Sequence, residues 1–144
     1  MLHHGRWCYG NDCAKWGYQK AIDGRTVGLN SLTLTGAAGT TFNAHVQFDL
    51  GSVRSDILSV RIMGPGTSAL AYAPLPVGLQ LYLSPGTNFT AGTLCEANIT
   101  LAAVGEEYLA TCPLGVSGRY VTIYQTRPGT RIALQEVTAM YEGG

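Results

Sequence analysis

The side chains of this chain that could do chemistry are few: four cysteines, the histidines His3, His4 and His45, nine acidic and nine basic residues among 144. Nucleophilic catalysis needs a Ser or Cys beside a positioned base. The chain has no Gly-x-Ser-x-Gly elbow and only one histidine beyond its first residues, so a hydrolase is not expected. Paired carboxylates could serve a glycosidase. Adjacent Glu106 and Glu107, however, point to opposite faces of a strand, and Asp49, the partner considered for Asp56, reads as a strand-end turn former before Leu50-Gly51. No enzyme is expected. Cys8-x4-Cys13 behind His3 and His4 has the composition of a zinc site, but the spacing fits it only loosely and a local disulfide is favoured. His45, alone on the polar face of an alternating segment, reads as solvated. An even cysteine count and two sequons, Asn88-Phe-Thr90 and Asn98-Ile-Thr100, together point to an oxidising, secreted or extracellular setting with both asparagines as glycosylation candidates.

Elements of a particular kind must position these residues. Nineteen glycines, six prolines and only two lysines, Lys15 and Lys20, favour strands joined by turns over helices. The clearest strand is Phe42 to Leu50, where Phe42, Ala44, Val46, Phe48 and Leu50 alternate with Asn43, His45, Gln47 and Asp49. One face is expected to be core and the other polar. The same period appears in Leu58, Val60, Ile62 and in Val77, Leu79, Leu81, Leu83, and Arg119 to Gln125 is rich in β-branched and aromatic residues. Turn clusters at 36–39, 64–66, 84–86, 115–118 and 128–129 have the spacing of a sandwich or barrel.

At 144 residues the chain is expected to be one domain with a sizeable core of its own, and residues 1–20 stand apart as an aromatic, Cys-containing N-terminal segment. Zero formal net charge leaves no footprint for nucleic acid or an anionic membrane. No apolar run approaches the ~20 residues of a spanning helix, so no membrane insertion is expected. Met1 is followed by His3, His4 and Arg6 and not by a hydrophobic signal region, so any secretion signal is expected to have been removed or to lie in a larger parent, and the chain reads as an excised or processed piece.

One irregularity stands out in the last strand. Ile132 and Leu134 set an inward phase, Glu136 shares it, and Val137, Ala139 and Tyr141 then continue on the other parity. Either the strand bulges there or a carboxylate points inward, where it must be paired or bound to a cation.

Four segments in order carry a resemblance: Ala21-Ile22-Asp23-Gly24; Val46-Gln47-Phe48-Asp49-Leu50-Gly51 followed by Ile57 to Ile62; Gly118-Arg119-Tyr120-Val121; and Leu134-Gln135-Glu136-Val137. The chain resembles the discoidin, or coagulation factor 5/8 C-type, galactose-binding-like domains, and Cys95 and Cys112 make it look most like the F-type lectins (fucolectins). The resemblance runs from about residue 20 to 142. It implies an all-β, antiparallel jelly-roll sandwich of about eight strands with ligand loops at one end. A Cys95–Cys112 bridge would close a loop worth about 3 kcal/mol in the chain-entropy model and brace the hairpin carrying Asn98.

The resemblance also implies a structural calcium ion, held by the carboxylates of Asp23 and Glu136 with backbone carbonyls of Lys20, Arg25 and Gln135; calcium takes six to eight hard oxygens. The alternative is that Asp23 is a turn former before Gly24, and that Glu136 pairs with Arg25 or Arg119. The arginine clamp that F-type lectins use for fucose has no counterpart, since no Arg occurs between Arg61 and Arg119. If a sugar site exists, Tyr72 in the 64–76 loop, with Asn43 as polar neighbour, is the place to look, because sugar sites stack an aromatic ring on the sugar's apolar face. The expected role is a non-catalytic extracellular carbohydrate-binding module whose partners are glycans or glycoproteins. The alternative is a structural or protein-interaction module in a cell-surface assembly, with the apolar 69–76 loop docking on other extracellular proteins.

Overall fold

Alternating aliphatic residues become strands here because each strand has one face to bury. The computed structural model describes residues 33–34, 43–64, 77–101, 106–127, 132–134 and 136–141. Among the described residues nine strands follow one another: β1 (Thr33–Leu34), β2 (His45–Arg54), β3 (Ile57–Met63), β4 (Leu79–Ser84), β5 (Thr93–Ile99), β6 (Glu107–Ala110), β7 (Gly118–Gln125), β8 (Ala133–Leu134) and β9 (Glu136–Tyr141). A single 3-10 turn, Phe89–Ala91, lies between β4 and β5. The strands form a four-stranded sheet in the order β2-β7-β4-β5, a three-stranded sheet β6-β3-β9 and a small pair β1-β8. Every pairing is antiparallel.

Between the sheets the expected inward residues meet. Val46 and Phe48 of β2, Leu79, Leu81 and Leu83 of β4 and Val121 and Ile123 of β7 form one wall, and Val60 and Ile62 of β3 with Val137 of β9 belong to the other. Fully burying a side chain of this kind contributes about 1.5–3 kcal/mol. The side chain of Leu58 falls outside what the structure describes.

The phase break near Glu136 is a change of sheet. β8 pairs with β1 through Leu134, and β9, starting at Glu136, pairs with β3. Leu134 and Val137 are both buried although three residues apart. An odd spacing between two inward residues is what a strand needs in order to leave one sheet for another.

Two expectations need correction. The polar face of β2 is not open to solvent: Gln47 and Asp49 are 1% and 4% exposed. Gln47 donates from Nε2 to Thr122 Oγ1 (2.9 Å) and to the Thr87 carbonyl (3.0 Å), because the segment after β4 folds back over this face. Nor does Asp49 end its strand; β2 continues to Arg54 through an irregularity in its pairing with β7. Arg119 grips Asp49 with two parallel hydrogen bonds (2.7 and 2.9 Å), and Gly51 N–H donates to Oδ1 (2.8 Å) from a backbone at φ 91°, a conformation glycine adopts freely. Arg119 is therefore engaged at Asp49.

The Cys95–Cys112 disulfide is present (S–S 2.00 Å), but it does not brace a hairpin. β5 and β6 belong to different sheets, so the bridge from β5 to the segment after β6 ties the two layers together at their shared edge. Beside it the Glu96 carboxylate accepts from the Tyr108 hydroxyl and from Thr111 N–H (3.0 Å), and this carboxylate holds the Tyr108 phenol above its ordinary pKa.

Replacing Cys95 and Cys112 together by Ser is expected to lower the unfolding free energy by about 3 kcal/mol, read as an earlier urea midpoint. Hydrogen bonds from Arg119 and Gly51 hold the Asp49 carboxyl at about 2, below its ordinary 3.8. The stability this pair contributes is complete above pH ~4 and is lost as pH falls toward 2. Asp49→Asn should therefore lower stability at neutral pH and flatten its decline over that acid window, measured by denaturant titration at a series of pH values.

Candidate functional site

Strand direction places the connecting loops at two ends. At one end β3 and β5 finish opposite the starts of β6, β9 and β4: Met63 pairs with Glu107 and Glu136, and Leu79 with Ile99 and with the last residue of β7, Gln125. His45, the first residue of β2, lies across from Tyr124 at the same end. The described residues 43–44, 64, 77–78, 100–101, 106 and 126–127 are thereby gathered here. The β2–β3 link and the 111–117 segment lie at the other end.

Hydrogen bonds fix the described parts of this loop end. Asn43 donates from Nδ2 to the Gln125 carbonyl (3.0 Å), beside the main-chain bond from Gln125 N–H to Ala44 O (2.8 Å). Gln125, itself buried, accepts at Oε1 from Arg127 N–H (3.1 Å). Gly78, at φ 69°, connects two neighbouring loops: its N–H donates to Thr100 Oγ1 (3.2 Å) and its carbonyl accepts from Thr126 Oγ1 (3.1 Å). Gly64 N–H donates to the Glu106 carbonyl (3.1 Å), and a Cβ on Gly64 would stand 2.7 Å from Leu101 Cδ1, so any larger residue there would require the buried Leu101 side chain to shift. The loop end is a pinned platform carrying Asn43, Thr100, Thr126 and the exposed Arg127.

Of the residues singled out in the sequence, Asn43 is half-buried at this end with its amide N–H committed to the main chain. Glu136 opens β9 opposite Met63, again at this end, and its side chain is outside the described set. Tyr72, Asp23, Lys20, Arg25, Gln135, Cys8 and Cys13 lie outside the described residues. Among the described residues no three His, Cys, Asp or Glu side chains stand together as a metal set, and no helix is long and apolar enough to cross a membrane.

His45 is half-buried and packed, not simply solvated. Its ring sits 5.4 Å from that of Phe89, which also packs on Tyr82 (5.1 Å) and Tyr124 (5.4 Å), so the turn after β4 is anchored in an aromatic cup on the outer face of the large sheet. The pairing registers place His45, Tyr124 and Tyr82 on that one face. The sequence holds a weak signal for this, since His45, Tyr82 and Tyr124 occupy outward positions of three alternating segments. The role of Gly78 as a double anchor carries no such signal, because a single glycine before a strand says nothing about which loops meet there.

No protein-family profile matches the sequence, and no curated protein matches it. Solved structures do match. A fucolectin from striped bass (Morone saxatilis) serum superposes with a TM-score of 0.72 at 19% identity over 98% of this chain, which spans 46% of that one. The lectin-binding domain of lectinolysin complexed with Lewis b, as a His 62 mutant, gives 0.69 at 19% identity, covering 98% of this chain and 92% of its own. The family 32 carbohydrate-binding module of Clostridium perfringens NanJ, in complex with galactose, gives 0.70 at 16% identity over 98% and 93%. The chain has the F-type lectin/discoidin-like fold, an all-β antiparallel sandwich of the galactose-binding type.

Asn43→Ala strips the Gln125 carbonyl of a part-buried donor and is expected to cost about 1 kcal/mol, seen as a lower thermal midpoint. A residue serving ligand alone would leave that midpoint unchanged.

Proposed function

We propose that the chain is a single non-catalytic, lectin-like module that binds carbohydrate at the loop end. The observation that supports this most is a fold shared over 98% of the chain with proteins solved with Lewis b and with galactose. A sugar site needs a rigid rim with a few fixed polar groups beside an apolar or aromatic surface. The hydrogen-bonded platform of Asn43, Thr100 and Thr126 is suited to be that rim. Tyr72, which lies between β3 and β4 in the sequence, would supply the stacking ring, and exposed Arg127 a charged donor at the loop end. The arginine pair expected of a fucose site after β3 is absent from the sequence, so the ligand need not be fucose.

A calcium ion is part of the same proposal. Asp23 and Glu136 would hold it, with backbone carbonyls of Lys20, Arg25 and Gln135, tying the loop after Asp23 to the start of β9. Its chemistry there would be architectural. The setting proposed is secreted or extracellular, supported by the Cys95–Cys112 bridge, since such bonds persist in oxidising compartments.

Multivalently displayed protein on a broad glycan array, run with calcium and with a chelator, tests the reading. Hits that disappear for Tyr72→Ala at an unchanged thermal midpoint are the expected result, and a blank array from folded protein would overturn it. Chelation should lower the thermal midpoint by several degrees, because a ligand held only by the native state stabilises it by mass action. An unchanged midpoint would remove calcium while leaving sugar binding open to the array.

A further inference from the structure

The two sequons differ in what the fold does with them. Residues 85–91 leave the sheet after β4, pair with no strand among those described, and are exposed at every position except Phe89. The turn closes on itself through Ala91 N–H to Asn88 O (3.2 Å) and Gly92 N–H to Phe89 O (3.0 Å). Phe89, the middle residue of the sequon, is its anchor in the cup of His45, Tyr82 and Tyr124. With that ring turned inward, Asn88 and Thr90 are both exposed, and the Thr90 hydroxyl donates to Asn88 Oδ1 (2.7 Å). The two groups that define the motif stand side by side on solvent.

Asn98 is exposed too, but its surroundings are locked. It sits in β5 at φ 58°, in a bulged stretch between the Leu81–Glu96 and Leu79–Ile99 pairs. The Thr100 hydroxyl is committed to the main chain, accepting from Gly78 N–H (3.2 Å) and donating to Asn98 O (3.3 Å). Just upstream, Cys95 is bonded to Cys112, and Glu96 is held by Tyr108 and Thr111. Drawing residues 96–100 into an enzyme's peptide groove would require undoing β5, while 86–90 needs the release of the Phe89 ring and of two side-chain hydrogen bonds, from Gln47 to the Thr87 carbonyl and from Ser84 to the Gly86 carbonyl, with no strand undone.

We propose that Asn88 is the N-glycosylated residue of this chain and that Asn98 is left bare. In the transfer, the Asn88 amide nitrogen bonds to the anomeric carbon of a polyprenyl-diphosphate-linked oligosaccharide. The carbon–oxygen bond to the diphosphate breaks, an amide proton is lost, and the polyprenyl diphosphate departs. The assignment leaves the loop end clear: a glycan on Asn88 stands over the outer face of the large sheet, whereas one on Asn98 would stand beside Gly78 and Thr100. It goes beyond the lectin reading and stands whether or not the chain binds sugar.

The test is secretion of the full chain from a eukaryotic cell, enzymatic glycan release in heavy-oxygen water, and mass spectrometry of occupancy at each asparagine. Expected is occupancy of Asn88 in most molecules and of Asn98 in few. Asn88→Gln and Thr90→Ala should each remove the mass step of one glycan, with secretion and thermal midpoint retained, and Asn98→Gln should remove nothing. An unmodified Asn88, or Asn98 filled as completely as Asn88, would overturn the proposal.

Discussion

Everything in this molecule depends on burying one aliphatic row from each of two antiparallel sheets against the other. Val46, Phe48, Leu79, Leu81, Leu83, Val121 and Ile123 on one side and Val60, Ile62 and Val137 on the other are all at most 3% exposed. Because side chains alternate along a strand, that contact fixes the face of every strand in it. The registers of β2, β4 and β7 follow, and with them the heights at which the loops emerge.

A sandwich held by that contact alone would have open margins. On the margin where β5 and β6 meet, a disulfide and the Glu96 cluster join the layers. At the end of the β2–β7 pair, the Asp49–Arg119 fork and the Arg54–Asp56 pair hold the irregular run of β2 and its turn into β3. The latter is a short-range fork on half-exposed side chains, and such pairs contribute little individually. Asp49 differs in being almost fully buried, so its carboxylate requires Arg119 once water has been excluded.

The outer face of the large sheet is the least ordinary part of the fold. Gln47 and Thr122 lie buried there and bonded to each other, beneath a segment that returns over them with Phe89 as its only half-buried side chain. That arrangement turns a face written as polar into a second, smaller interior. It also leaves the loop end, where Gly78 joins the Thr100 and Thr126 segments, as the surface whose main chain is fixed while its side chains face outward.

Period-two burial of Val46 and Phe48, of Val60 and Ile62, and of Leu79, Leu81 and Leu83 was legible in the sequence, because alternation is a local property that any antiparallel sheet uses in the same way. The parity break between Leu134 and Val137 was legible as a break, but the change of sheet that the pairings show was not among the meanings offered for it, a bulge or an inward carboxylate. Other features depended on residues far apart in the chain. Arg119 reaches Asp49 across 70 positions, Asn43 meets Gln125 across 82, and Phe89 finds His45 on another strand. Local composition sets which residues want to be buried or bonded. Only the folded sheets, by bringing distant segments to one height, decide with whom.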